Sequence, residues 1–255
     1  MRIHYISDTH LDFHVSEKLS LKASKRLKEI LNYMFDINEH SCYDKDIAIL
    51  GGDLSHSEWQ IEFMFNHLTT YFVKVIVVLG NHDYYLTSNS KANKYNNSSY
   101  NRVKKIKSIA EQYGVIVLDR TIYECNDFAI AGATMWYPLV SDSEKMFYKT
   151  FSNDSRLIKG VNIAKESKLD QEFFEQLYYD YGDRLNVFVS HVPIVNTPKN
   201  QEAGSDCYYC PVNWIPNVIL QGHTHEILEL DKHGSKVIMN GMGYDNIVKA
   251  KVFEV

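Results

Sequence analysis

Gly80-Asn81-His82-Asp83 sets an amide, an imidazole and a carboxylate side by side, directly after the apolar run Val75-Ile76-Val77-Val78-Leu79. Together those three groups can bind a metal ion, move a proton and orient the group that moves it. Four other apolar runs end in the same manner. They close on Ser7-Asp8-Thr9-His10, Gly52-Asp53, Ser190-His191 and Gly222-His223-Thr224-His225. The i, i+2 spacing of Asp8 with His10, and of His223 with His225, points each pair the same way from an extended backbone. A lone buried Asp or His is most often a structural hydrogen-bonding residue, and one such ending alone would mean no more. Here six of the eleven histidines (His10, His56, His82, His191, His223 and His225) lie at or just past a strand end, which favours metal binding.

The donors are carboxylate, imidazole and amide, with no thiolate. That set suits Mn, Fe, Zn or Ni and is too rich in nitrogen for calcium. Seven candidate ligands exceed what one ion takes. Two ions sharing a bridging carboxylate would use them economically.

Positioning them needs strands that finish at one place. Strand patterns at Ile3–Ser7, Asp46–Leu50 and Val75–Leu79 alternate with helical ones. Leu27, Ile30, Leu31, Met34 and Phe35 fall on one helical face, and residues 57–72 carry a weaker apolar face. The five-residue run ending at Leu79 predicts a strand buried on both faces. Strand, helix, strand, helix, strand describes βαβ units and a largely parallel sheet, whose sites lie beyond the carboxyl ends of the strands. Residues 84–101 read as loop, 102–113 as a short helix, and 115–132 as three short strands. Residues 142–180 read as mostly helical, with Leu169, Phe173 and Leu177 on one stripe. A strand at 185–189, a loop at 192–214 and strands near 217–221, 226–231, 235–239 and 247–254 complete the chain. No repeat or linker interrupts it, so one domain over 1–255 is expected.

The chain has 255 residues, 45% hydrophobic and 23% charged, the composition of an ordinary globular protein. No apolar run approaches the roughly 20 residues that span a bilayer. The N-terminus enters a strand pattern without a charged-then-apolar leader, which predicts a cytoplasmic protein with no membrane partner. Four cysteines do not make a disulfide framework. A net charge of −5 argues against a protein whose whole surface binds nucleic acid.

The ordered blocks Asp8-x-His10, Gly52-Asp53-x-x-His56, Gly80-Asn81-His82-Asp83, His191 and Gly222-His223-x-His225 resemble those of the calcineurin-like metallophosphoesterase superfamily. The resemblance implies an α/β fold, a four-layer α-β-β-α sandwich, with a dinuclear metal site at the carboxyl ends of the strands. It implies that Asp8, His10 and His225 hold the first metal, Asp53 bridges, and Asn81, His191 and His223 hold the second. Manganese is the leading expectation for both divalent ions, with Fe, Zn and Ni compatible. The implied activity is hydrolysis of a phosphomonoester or phosphodiester by metal-activated hydroxide. His82, outside the ligand set, would protonate the leaving oxygen, and Asp83 would accept from its other ring nitrogen and raise its pKa. Asn81 and His56 would also touch substrate, although His56 reads equally as lining its loop. The second block lacks an Asp-Arg-Gly continuation and the third ends in Asp83 rather than Glu, both of which argue against a phosphoprotein substrate. Gly132-Ala133-Thr134-Met135-Trp136 is similar to a mid-chain motif of small bacterial and phage phosphoesterases. The alternatives are a metal-dependent nuclease, disfavoured by the −5 charge, and a non-catalytic scaffold, disfavoured by retention of every ligand.

Two weaker signals remain. Between Tyr84 and Ala110 there is no acidic residue, while Lys91, Lys94, Arg102, Lys104, Lys105 and Lys107 are basic. Such a segment (91–107 at its core) can attract nucleic acid, but a solvated face is the favoured reading. Cys207-Tyr208-Tyr209-Cys210 has zinc-like spacing without a second pair, so residues 196–213 are read instead as a wall over the site.

Overall fold

The computed structural model describes residues 1–125, 128–197 and 208–255. The first half runs β1 (Arg2–Ile6), α1 (Leu11–His14), α2 (Leu21–Met34), β2 (Tyr43–Leu50), α3 (Glu58–Thr69) and β3 (Phe72–Val78). It continues through α4 (Asn89–Lys94), α5 (Ser99–Gln112) and β4 (Ile116–Leu118). These four strands are parallel and adjacent in sequence order, and β11 (Lys251–Glu254) returns antiparallel to β1. The second sheet has the order β5 (Thr121–Cys125), β6 (Phe128–Ala133), β7 (Val187–Ser190), β8 (Val218–Gln221), β10 (Ser235–Asn240), β9 (Ile227–Lys232). Its four inner strands are parallel and its two edges antiparallel. Between β6 and β7 the chain makes α6 (Asp142–Phe151), α7 (Asp154–Leu157) and α8 (Ile163–Asp180).

Strand alternation explains the layering. Ile3, Tyr5, Ile47, Ile49, Ile76 and Val78 meet Ile130, Val187, Val189, Leu220 and Ile238 between the sheets. Their neighbours of opposite parity, such as Leu50, Val75, Val77, Phe188 and Ile219, share a core with the helices outside. The result is the four-layer α-β-β-α sandwich. Val75 to Leu79 are all at most 2% exposed, because β3 has a sheet on one side and helices on the other.

Three stretches depart from the sequence reading, each for a physical reason. Residues 84–101 are not all loop. Helix α4 buries no side chain, so it leaves no apolar period to read, and its start is capped by Ser88 accepting from the Lys91 N–H at 3.2 Å. Helix α5 begins at Ser99, tied to Lys159 by two hydrogen bonds of 2.9 Å. On α8 the buried stripe is Ile163, Glu166, Ser167, Asp170, Phe174 and Leu177, whereas Leu169 is exposed. That stripe holds acids because Arg120 donates to Glu166 (3.0 Å) and Asp170 (2.8 Å), and Asp170 also accepts the Trp136 N–H. Burial, against the opposing pull of those donors, pushes the Asp170 carboxyl up to about 7.

Candidate metal centre

The carboxyl ends of β1, β2 and β3 from one sheet and of β7 and β8 from the other converge at one end of the sandwich. Backbone bonds lace them together: Asp8 N–H to Gly52 O (3.0 Å), His10 N–H to Asp53 O (2.9 Å) and Gly222 N–H to His191 O (3.0 Å). Ser7 of the first sheet bridges Gly241 of the second. Gly52 lies at φ +91, where a Cβ would stand 2.6 Å from His191 Nδ1, so only glycine fits between β2 and the His191 ring.

Two overlapping clusters of donor atoms form there, Asp8, His10, Asp53 and His225 in one, and Asp53, His191 and His223 in the other. Asp53 Oδ2 belongs to both, 3.5 Å from His10 Nε2 and 3.4 Å from His191 Nε2. Its other oxygen accepts the His82 N–H at 2.8 Å. Asn81 Oδ1 completes the second cluster, 3.0 Å from His191 Nε2 and 3.1 Å from His223 Nδ1. All seven residues singled out as ligands therefore face one place.

The spacing suits cations. Donors bound to one ion at about 2.1 Å and at right angles stand about 3.0 Å apart. The pairs His10 Nε2–His225 Nε2 (3.1 Å) and His191 Nε2–His223 Nδ1 (3.2 Å) have that separation, and two ring nitrogens this close need a proton or a cation between them. Asp8 Oδ2 is buried with no hydrogen-bond partner among the described residues, an acceptor that a cation would satisfy. His191 Nδ1 is 2.9 Å from the Gly51 carbonyl, to which it donates, leaving Nε2 free as a ligand. Burial pulls His10 down to about 3, so its ring is an unprotonated donor. Burial also opposes charge on His191, but the Asp53 and Asp8 carboxylates raise it to about 10, a measure of how strongly they draw a positive charge to this ring.

The common direction of each ligand pair does not come from extended backbone. Asp8, His10, Asp53, His223 and His225 all have positive φ, between 36° and 71°. This left-handed region is uncommon outside glycine and clusters at functional sites. Nothing in the residue spacing distinguishes it from a strand end.

His82 lies beside the clusters and lines the cleft above them. Its expected partner is not there. Asp83 is fully buried, and its carboxylate accepts the backbone N–H groups of Gly80 (2.8 Å), Asp53 (3.0 Å) and Leu54 (3.1 Å). A carboxylate one residue after His82 in a 3-10 turn points back into the turn, not at the preceding ring. The pKa of His82 is accordingly lowered, by burial, rather than raised. Aromatic rings orient His82 instead: it stacks on Tyr85 at 4.2 Å between centroids and on His56 at 5.3 Å. His56 in turn pairs with Asp12 at 2.8 Å, and this bond outweighs burial to hold the Asp12 carboxyl down at about 2. His56 lines a separate depression with Glu58 and Trp59, not the cleft over the clusters.

The cleft encloses about 390 Å³ and is lined by Asn81, His82, Phe151, Asp154, Tyr208 and Tyr244 among others, with no lysine or arginine among the described lining residues. Tyr244 packs 4.5 Å from the His10 ring and 4.6 Å from Phe13, with its hydroxyl 3.5 Å from His82 Nε2. Sequence reasoning passed over Tyr244 and Asp154, neither of which follows directly on an apolar run. The basic segment does not reach the cleft. Lys91 pairs with Glu17, Lys94 with Glu58 and Lys107 with Asp119, and Arg102 is fully buried. Cys207 falls outside the described residues, as does most of the predicted wall at 196–213. Burial pushes the Cys210 thiol up to about 12, which keeps it protonated.

A sandwich of this layering with Asp, His and Asn donors at the joined strand ends has the make-up of a metal-binding hydrolase. The family model for calcineurin-like phosphoesterases matches residues 1–226, and the chain belongs to that family. It is 26% identical over 273 residues to the uncharacterized protein L509 of Acanthamoeba polyphaga mimivirus, covering 96% of this chain and 92% of that protein. Among solved structures, phosphopantetheinyl hydrolase (PptH) from Mycobacterium tuberculosis shares the fold. The TM-score is 0.66 at 16% identity, over 95% of this chain and 89% of that one. No helix among the described residues is long and apolar enough to cross a membrane.

Proposed function

We propose that the protein, as one domain over residues 1–255, is a dinuclear metal-dependent phosphoesterase acting on a phosphomonoester or phosphodiester. The observation that carries this reading is the shared oxygen, Asp53 Oδ2, at 3.5 Å and 3.4 Å from imidazole nitrogens of the two clusters. Asp8, His10 and His225 would hold one divalent ion and Asn81, His191 and His223 the other, with Asp53 bridging. When bound, the pair supplies Lewis acidity toward the phosphoryl oxygens and lowers the pKa of water at the site. The chain's own residues do the rest. His82, packed against both Tyr85 and His56, offers a ring N–H to the leaving oxygen. Tyr244 and Phe13 form an aromatic edge beside it for the leaving group. With no cationic side chain among the described lining residues, the charge that attracts a phosphate ester comes from the bound ions. Manganese remains the leading candidate, with Fe, Zn and Ni compatible with the same donor chemistry.

The test compares two variants by metal content and by turnover of p-nitrophenyl phosphate and its bis ester. Asp53→Ala should lose metal from both sites and all activity. His82→Ala should keep both ions and lose about 10²–10⁴-fold in kcat. Two ions retained in Asp53→Ala, or full turnover in His82→Ala, would contradict the assignment. A wider panel with cyclic nucleotides, dinucleoside polyphosphates and single-stranded DNA separates a small-molecule phosphoesterase from a nuclease.

A further inference from the structure

A buried carboxylate outside both donor clusters stands directly behind one of the proposed ligands. Asp154 opens α7, in the excursion between β6 and β7, and is 3% exposed. Its Oδ1 accepts from Asn81 Nδ2 at 2.8 Å and from the Tyr85 hydroxyl, and its Oδ2 accepts from the Tyr137 hydroxyl. Three neutral donors thus converge on one carboxylate. No cation pairs with it among the described residues, so it is not half of a salt bridge.

The consequence for Asn81 is geometric. An amide presents an oxygen on one side and an NH₂ on the other, nearly equal in shape, and only its partners decide which way it faces. A carboxylate accepts and cannot donate, so Asp154 captures the NH₂ and turns Oδ1 toward His191 Nε2 and His223 Nδ1, at 3.0 Å and 3.1 Å. Reversed, the amide would aim two hydrogens at those nitrogens and offer a cation no lone pair. Asp154 also holds the hydroxyl of Tyr85, the ring on which His82 stacks.

We infer that Asp154 is a positioning residue of the metal centre, fixing the amide of Asn81 with its oxygen toward the second ion. The inference rests on the reading of Asn81 as a ligand. It also gives a role to the mid-chain motif beginning at Gly132. Thr134 Oγ1 donates to the Leu79 carbonyl at 2.8 Å, Trp136 N–H is fixed by Asp170 at 2.9 Å, and Tyr137 follows to hold Asp154. The motif thereby builds the support behind Asn81. The far end of α7 is fastened too, the Leu86 N–H donating to Leu157 O at 2.9 Å.

Titration of the metal-free protein with Mn²⁺, followed by calorimetry and by the spin coupling of paired ions, tests this. The variants are Asp154→Ala, Asp154→Asn and Asn81→Ala. Asp154→Ala should weaken the second site by about 10–100-fold and leave the first unchanged. Asp154→Asn keeps one carbonyl acceptor that can face Asn81, and should restore most of that affinity. Asn81→Ala should weaken the second site at least as much as Asp154→Ala. If Asn81→Ala weakens the second site and Asp154→Ala does not, the positioning role is overturned while the ligand reading stands. If Asn81→Ala has no effect, the ligand reading fails and takes this one with it. If Asp154→Ala weakens both sites equally and lowers the melting temperature of the metal-free protein, Asp154 is a general structural residue and the inference fails. Should Asp154→Ala not fold, Asp154→Leu, close in bulk and without an acceptor, carries the same expectations.

Discussion

Asp83 is where residue-level chemistry parts from motif. Adjacent to His82 in sequence, it holds the turn that carries His82, gathering the N–H groups of Gly80, Asp53 and Leu54. Asp83→Asn would set an amide NH₂ against one of these donors, and an unpaired buried N–H costs about 1–3 kcal/mol. The expected outcome is a loss of that size in urea unfolding, with turnover per metal-loaded molecule within a few-fold of the parent. A fall as deep as that of His82→Ala would show that Asp83 acts in the chemistry.

At the scale of elements, the strand ends were readable because each ligand follows directly on a continuous apolar run, as Asp8 follows β1 and Asn81 follows β3. What feeds the site from elsewhere was not. Arg102 looks in sequence like one basic residue among six along a solvated loop and helix face. On α5 it is fully buried, its guanidinium donating to the carbonyls of Asp83 (2.8 Å), Ser55 (2.9 Å) and His56 (3.3 Å). This one side chain ties a helix to the turns after β2 and β3. The Asp154 excursion was hidden similarly, inside a stretch whose overall character is helical, and the buried acids of α8 concealed its inward face. Such residues are chosen by partners distant in sequence, and no local period encodes them. Arg102→Lys keeps the charge but replaces a planar fork with a single point, so it should cost roughly 2–4 kcal/mol in urea unfolding. Equal stability of the two proteins would mean that the carbonyls find other donors.

The whole molecule is two sheets meeting at one seam, and the proposed ligands are divided across it. Asp8, His10, Asp53 and Asn81 follow strands of the first sheet, and His191, His223 and His225 follow strands of the second. An ion bound by both sides fastens one sheet to the other, so binding at 100 to 1,000 times Kd should add about 3–4 kcal/mol to folding stability. Chelation should lower the melting temperature, and restored Mn²⁺ should raise it in a concentration-dependent way. A melting temperature indifferent to metal would mean that no ion bridges the seam.

The division of ligands also sets a timetable for synthesis. His10 and His225, whose ring nitrogens stand 3.1 Å apart, are separated by 215 residues of chain. At ordinary translation speeds roughly 10–40 s pass between the emergence of one and of the other. Until residue 191 is made, the nascent chain carries only the half-site of its first sheet, Asp8, His10, Asp53 and Asn81, and lacks His191, His223 and His225. A complete donor set for either proposed ion therefore exists only once residues 223 to 225 have been made.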